Sequence, residues 1–376
     1  APKGPVADEI NLVELSDGSL YCTYRTIDGH PCHAYSRDRG HTWTPAAYMT
    51  YADGRLVKHP RAANFVWKLE NGKYLYWYHN NGGIWGDPVT MYEDRNPAWI
   101  SGGVERDCKD GKEIAWSNPE ILLYGDDPRL KTSYPDLIEC DDRIFVSETQ
   151  KTVARVHEID KPMIEALWTQ HTRMETSTAG LVLDLPQTDS PVPNQVDSPR
   201  LPEFNQRVVE KIPKGPRPGQ GSYDLRAGFS IELWVYFESI EGGEVVLDNR
   251  TKSGCGYALQ LTDNKTMEIV LNDGRAESRW DCDTGFLFPK RLHHIVVIVD
   301  GGPKVISFIT DGILNDGSNH RQFGWGRFDP NFRNTPGSNK LRIGSNLNGY
   351  IKRLRIYNRH LKTSEAISSF RLGLEK

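Results

Sequence analysis

Leu12-Val13-Glu14-Leu15-Ser16-Asp17-Gly18-Ser19-Leu20-Tyr21-Cys22-Thr23-Tyr24-Arg25 decides how this chain is read. Two apolar runs flank Asp17-Gly18. An Asp-Gly or Asn-Gly pair between such runs is a strong hairpin signal, because both residues tolerate positive φ. The unit recurs. Phe65–Leu69 leads through Asn71-Gly72 to Tyr74–Tyr78, and Leu137-Ile138 leads through Asp141-Asp142 to Ile144–Val146. A strand–turn–strand unit repeated every few tens of residues predicts a repeat fold, and for strands alone a propeller leads the candidates.

Working outward, Pro162 starts the one predicted helix, within residues 160–175, with Ile164, Leu167 and Trp168 on one face. Residues 185–220 are rich in Pro, Gln, Asp and Ser and read as a surface connector. From about 225 the alternation is clean. Phe229, Ile231, Leu233, Val235 and Phe237 point one way, and Ser230, Glu232, Trp234 and Tyr236 the other. Strands at even spacing, punctuated by Asn272-Asp273-Gly274, Asp300-Gly301-Gly302 and Asp311-Gly312, predict a sandwich. The division is 1–158 for the hairpin repeats, 159–224 for helix and connector, and 225–376 for the sandwich.

Composition agrees with many short strands. The 376 residues include 34 Gly and 23 Pro for turns, and 10 Trp, 16 Tyr and 12 Phe for cores. A net charge of −4, with both signs interspersed, gives no electrostatic footprint for nucleic acid. No apolar run approaches the ~18 residues of a membrane-spanning helix. The six Cys are scattered without a CxxC pair, which argues against structural zinc. They fit buried thiols or a bridge such as Cys255–Cys282, and spacing does not choose between these.

Ser36-Arg37-Asp38-Arg39-Gly40-His41-Thr42-Trp43 has the form S-x-D-x-G-x-T-W. A short Asp side chain can bond the turn backbone, Gly allows positive φ, and Trp is expected to pack beneath the hairpin. A looser copy runs from Asp110-Gly111 to Trp116-Ser117-Asn118-Pro119. With this box, the first part of the chain resembles the C-terminal half of a sialidase catalytic propeller. The family pattern E-x-x-x-V-E-L-x-D-G is met by Glu9 through Gly18, and Arg25 closes the next strand. Arg95, in Asp94-Arg95-Asn96-Pro97, precedes the looser box, and Tyr134 stands in Ser133-Tyr134-Pro135. The order Glu, Arg, box, Arg, box, Tyr is complete.

The chemistry explains these residue types. Sialosides carry a carboxylate beside the anomeric carbon, and Arg offers a rigid donor fork for it. A carboxylate nucleophile would be repelled there, whereas a neutral phenol is not, and Tyr is the known exception among retaining glycosidase nucleophiles. A phenol with a pKa near ~10 needs a base. The resemblance therefore implies Tyr134 as nucleophile, Glu9 as its base, and Arg25 and Arg95 as two of three carboxylate-binding arginines. Each also has an ordinary explanation: Tyr134 packed before a proline, Glu9 a solvated charge, Arg25 stacked on an aromatic, Arg95 in a surface ion pair. For His59, His79 and Glu148, near strand ends, a packed role is favoured over catalysis. Asp38 is read as a fold marker.

The family's first arginine and its Asp acid/base have no counterpart here, so the expectation is a C-terminal portion completed by an N-terminal propeller segment that supplies them. Residues 225–372 resemble laminin-G/concanavalin-like domains, through Phe229–Phe237, Gly256–Leu261, His293–Val297 and Gly349–Asn358. His293-His294 suggests a metal, but adjacent strand residues point to opposite faces. The fold class is therefore all-β: a partial, sialidase-like β-propeller plus a jelly-roll, laminin-G-like sandwich. The resemblance implies a retaining exo-sialidase-type glycoside hydrolase acting on terminal acidic sugars, without cofactor or metal, secreted or periplasmic, whose partner is an acidic glycan. Two rivals stand: a non-catalytic glycan-binding protein on this scaffold, and a propeller lyase using Tyr134 with His59 or His79 on uronate-containing glycans.

Overall fold

A computed structural model describes residues 8–83, 94–125, 131–149, 154–186, 192–202, 204, 228–332, 335 and 337–374. The chain divides into two compact units. The first takes in residues 1–173, 215–223 and 321–323, and the second takes in 174–214, 224–320 and 324–376.

The first unit contains three antiparallel sheets in blade-like meanders. One joins β1 (Asp8–Glu14), β2 (Leu20–Arg25), β3 (Cys32–Ser36) and β4 (Ala47–Tyr48) in chain order. The next joins β5 (Phe65–Lys68), β6 (Tyr74–Tyr78), β7 (Ala98–Cys108) and β8 (Gly111–Trp116), with β9 (Glu120–Leu123) also on β7. The last joins β10 (Ser133–Cys140), β11 (Arg143–Thr149) and β12 (Ala154–Glu158). The three hairpins read from sequence are β1–β2, β5–β6 and β10–β11. Neighbouring blades are tied by specific bonds. Lys112 N–H donates to Asp17 Oδ2 at 2.9 Å, and Glu70 N–H donates to Glu139 Oε2 at 2.8 Å.

Helix α1 (Lys161–Thr169) follows the third blade and buries Ile164, Leu167 and Trp168, the predicted face. It packs with Leu75, Trp77, Ile100, Ile144 and Val146. Its closeness depends on glycine. A Cβ on Gly102 would stand 2.8 Å from Leu167 Cβ and 2.9 Å from the Trp168 ring. Trp168 Nε1 donates to the Tyr74 carbonyl at 2.9 Å, so its buried polar atom is satisfied.

The Ser36–Trp43 box closes on itself. Asp38 Oδ1 accepts from Ser36 Oγ (2.9 Å) and Thr42 N–H (2.8 Å), and Oδ2 accepts from Thr42 Oγ1 (2.6 Å). Bonds from the Thr42 side chain and backbone hold the Asp38 carboxyl down to about 2. Trp43 departs from expectation. It is 39% exposed, and its Nε1 donates to the Gly40 carbonyl at 3.2 Å, so the ring lies along its own turn. The looser copy does not close this way. Strand β8 runs from Gly111 to Trp116, so extended backbone separates Asp110 from a buried Trp116.

The second unit is a two-sheet sandwich. It adds β13 (Leu181–Pro186), β14 (Gln195–Asp197), β15 (Phe229–Phe237), β16 (Val245–Asp248), β17 (Gly256–Leu261), β18 (Met267–Asn272) and β19 (Glu277–Asp281). Then come β20 (Arg291–Asp300), β21 (Val305–Thr310), β22 (Ile313–Leu314), β23 (Trp325–Arg327), β24 (Lys340–Ile343), β25 (Gly349–Tyr357) and α2 (Thr363–Leu372). One sheet runs β13-β25-β15-β20-β21-β22, with β23 on β21, and the other runs β14-β24-β16-β17-β18-β19. Phe229, Ile231, Leu233, Val235 and Phe237 enter the core between them, as their alternation predicts. Two features differ from the sequence reading. The segment between helix α1 and residue 204 supplies β13, just before the Pro- and Ser-rich stretch, and β14 within it, and these hydrogen-bond to β25 and β24. A second helix, α2, packs Ala366 and Ile367 with Val296 and Ile309, and Phe370 stacks on Trp234. It starts where Glu365 accepts the Lys362 N–H at 2.8 Å, a local capping signal. All six cysteines are free thiols in the structure.

Candidate active site

Glu9 and Tyr134 lie 125 positions apart and meet: the phenol donates to Glu9 Oε1 at 3.0 Å. The same device places both. Between the pairs Asp8↔Arg25 and Asn11↔Thr23, Glu9 and Ile10 oppose Tyr24 alone. Between Ser133↔Thr149 and Asp136↔Ser147, Tyr134 and Pro135 oppose Glu148 alone. Two residues against one is a β-bulge, which bends the strand and re-aims a side chain. Pro135 suits the irregularity because it has no N–H to give to a ladder. Both aimed residues have left-handed backbones, φ 58° for Glu9 and 46° for Tyr134. For such side chains that costs about 1–3 kcal/mol each and is held only by surrounding structure.

The arginines join them. Arg25, at the end of β2, places Nη1 3.0 Å from Glu9 Oε2. Arg95 Nη1 donates to Ser133 Oγ at 2.7 Å, and Thr132 Oγ1 donates to the Arg95 carbonyl at 2.7 Å. Asn96 exchanges two bonds with Gly125, anchoring the Arg95 segment. Arg95 lies within electrostatic reach of Tyr134, Glu9 and Arg25. Burial, the largest influence, lowers its pKa, yet a guanidinium stays cationic at working pH. The hydrogen bond to Glu9 raises the Tyr134 pKa above the usual phenol value, helped by burial and the Glu9 charge and opposed by Arg95 and Arg25. Tyr134 is 52% exposed, so its ring is open to a ligand. All four residues singled out from sequence are thus brought together.

His59 and His79 stack beneath this region, centroids 5.8 Å apart. Both are buried. His59 Nε2 lies 2.7 Å from the Ala62 carbonyl and Nδ1 accepts the His79 N–H at 3.2 Å, so both ring nitrogens are used within the fold. Burial holds His59 down to about 3. A base for the lyase reading would need an accessible nitrogen, and His59 offers none. Glu148 is buried with Oε1 3.0 Å from Arg155. In the sandwich, the His293 and His294 rings take different carboxylates, Asp311 at 2.9 Å and Glu232 at 3.0 Å, and no group of metal-ligating side chains occurs among the described residues.

Residues 218–367 match the concanavalin A-like lectin/glucanases superfamily. The matched range takes in β15 to β25 of the second unit. No curated protein sequence matches the chain. Among solved structures it is similar to Trypanosoma rangeli sialidase in complex with 2,3-difluorosialic acid, a covalent intermediate. Identity is 15%, with a TM-score of 0.31, over 96% of this chain and 61% of that one. The Ruminococcus gnavus IT-sialidase CBM40 bound to α2,3-sialyllactose is 14% identical, TM-score 0.33, over 50% of this chain and 98% of that one. The binding domain of botulinum neurotoxin serotype D is 10% identical, TM-score 0.30, over 38% and 36%. This chain spans about three fifths of the trypanosomal sialidase, 61%. Superpositions this loose assign no role to any side chain here. Among the described residues, no helix is long and apolar enough to cross a membrane.

Sequence reasoning passed over Ser133 and Thr132, quoting Ser133 only as context for Tyr134. Their signal was adjacency: two hydroxyl residues directly before the tyrosine.

Proposed function

We propose that Glu9, Arg25, Arg95 and Tyr134 form the nucleophile side of a retaining, sialidase-type glycoside hydrolase site for terminal acidic sugars. The observation that carries this is the 3.0 Å bond from the Tyr134 phenol to Glu9, beside Arg25 and within reach of Arg95. The two arginines take the sugar carboxylate through charge-assisted bonds. That sets the anomeric carbon over the phenol oxygen. A phenol whose pKa is raised keeps its proton until attack, so the base must act during the step. As the Tyr134 Oη–C bond forms and the glycosidic C–O bond breaks, the phenolic proton passes to Glu9. The departing oxygen takes a proton from a general acid. On this reading a further propeller segment supplies that acid and the third arginine. Water then attacks the anomeric carbon, giving its proton to the acid that was deprotonated in the first step; as the Tyr134 Oη–C bond breaks, Glu9 returns the phenolic proton to Tyr134, with net retention.

A 2,3-difluorosialic acid tests this directly. Fluoride leaves without protonation, so no general acid is needed for the first bond to form. Incubation followed by peptide mass spectrometry should place the sugar on the peptide bearing Tyr134, and Tyr134→Phe should abolish the adduct. No adduct on the wild-type chain, or one indifferent to Tyr134→Phe, would sink the nucleophile assignment. Reversible sialic-acid binding without any adduct would favour the glycan-binding rival.

A further inference from the structure

We propose that Ser133 is a positioning residue that sets Arg95 against Tyr134, an inference that rests on the function proposed above. Ser133 and Tyr134 are consecutive on β10 and take different environments: Ser133 is buried and Tyr134 is 52% exposed. The strand grips Arg95 twice just before the tyrosine. Thr132 Oγ1 holds its carbonyl and Ser133 Oγ holds Nη1, both at 2.7 Å. The arginine and the phenol are therefore located by one short stretch of backbone. A shift of β10 moves both together, which preserves the spacing between the Arg95 guanidinium and the Tyr134 phenol oxygen.

The chemistry of the hydroxyl matters. An Asp or Glu in this place would also orient the guanidinium, but it would neutralise the charge that the ligand has to meet. Serine accepts one N–H and leaves the cation intact. An arginine already fixed in orientation loses less freedom when it binds, and so binds more tightly. An inert role for Ser133, filling the base of the bulge, predicts no dependence on ligand charge.

The test compares binding of N-acetylneuraminic acid and of its methyl ester to the full chain by calorimetry. Arg95→Ala serves as the reference. Ser133→Ala is expected to weaken the acid roughly tenfold to a hundredfold, the usual worth of a hydrogen bond to a charged group, and to leave the ester unchanged. Ser133→Thr should retain wild-type affinity. Ser133→Cys keeps the volume with a poor acceptor and should show the same selective loss for the acid, which decides the matter if Ser133→Ala folds badly. If Arg95→Ala weakens the acid and both Ser133→Ala and Ser133→Cys do not, the inference fails while the proposed function stands. Equal losses for acid and ester would reduce Ser133 to packing and also overturn it. If the wild-type chain does not bind the acid, or Arg95→Ala has no effect, the proposed function falls and this inference with it.

Discussion

Glu9 illustrates what a single residue does here. Its two oxygens divide the work: Oε1 accepts from Tyr134 and Oε2 faces Arg25. The left-handed backbone at φ 58° puts the carboxylate where an ordinary strand residue would not reach. Replacement by glutamine keeps an acceptor for the phenol and removes the base. Glu9→Gln should therefore slow labelling by 2,3-difluorosialic acid by about a hundredfold or more, the ordinary worth of a positioned base. Affinity for sialic acid should change far less, because the arginines remain. Stopped labelling time courses over a range of probe concentrations separate the two terms. A large loss of affinity with an unchanged maximal rate would assign Glu9 to binding instead.

At the scale of an element, strand β15 is buried on both faces for two different reasons. Its Phe, Ile, Leu and Val side enters the core between the sheets. Its other side carries Ser230, Glu232 and Trp234, which a one-sided sandwich would leave to solvent. Helix α2 covers them. Glu232 is 1% exposed and accepts from His294, Arg355, Tyr357 and Ser369. Burial alone would raise its pKa, but these partners outweigh burial and hold it at about 2. The pKa is depressed on folding, so the stability it contributes is complete above the unfolded value of about 4.5. That stability is lost as pH falls through about 2. Glu232→Gln removes the carboxylate charge at the centre of this buried hydrogen-bonded cluster and should cost about 3–5 kcal/mol at neutral pH. Urea melts at pH 7 and at pH 3 should show the gap between wild type and variant narrowing at the lower pH. A gap that stays constant or widens would show that the carboxylate charge is not what holds the cluster.

At the scale of the molecule, the most exposed aliphatic side chains among the described residues of the first unit lie on its first and third blades. Ile10 and Leu12 on β1 are 63% and 52% exposed, and Ile138 and Val156 on the third blade are 56% and 68%. The middle blade buries Tyr74 to Tyr78 entirely. That distribution fits a propeller portion whose outer blades pack on further sheets. The sandwich is different. Its core closes within the unit, but it needs β13 and β14 and the side chains of Val192 and Phe204. A fragment of residues 174–376 is expected to be soluble and to melt cooperatively. A shorter one of residues 220–376 should be markedly less stable, since losing one buried Phe costs roughly 3–5 kcal/mol. Residues 1–173 alone should aggregate. Thermal melts and size-exclusion profiles of the three fragments decide, and a monomeric, cooperatively folding 1–173 would contradict the incomplete-propeller reading.

Local chemistry made much of this legible. Asp17-Gly18, Asn71-Gly72 and Asp141-Asp142 mark their hairpins because positive φ is a property of a few residues and needs no distant partner. The alternation of Phe229–Phe237 names the core face of β15 because side chains on a strand must alternate. Glu9, Arg25, Arg95 and Tyr134 could be singled out from their local motifs, and the folded chain brings them together. Other features depended on contacts across the chain. Within the Pro-rich stretch, β14 forms where the edge of β24 offers it hydrogen bonds, not because the stretch favours strand. Helix α2 exists against the polar face of β15, which supplies the burial that a ten-residue helix lacks by itself. Glu9 and Tyr134 point at each other only because two bulges, each an irregularity in pairing with another strand, turn them from their pleats. Strand pairing is a relation between distant segments, so its irregularities, and the hold of Ser133 on Arg95, became visible only in the folded chain.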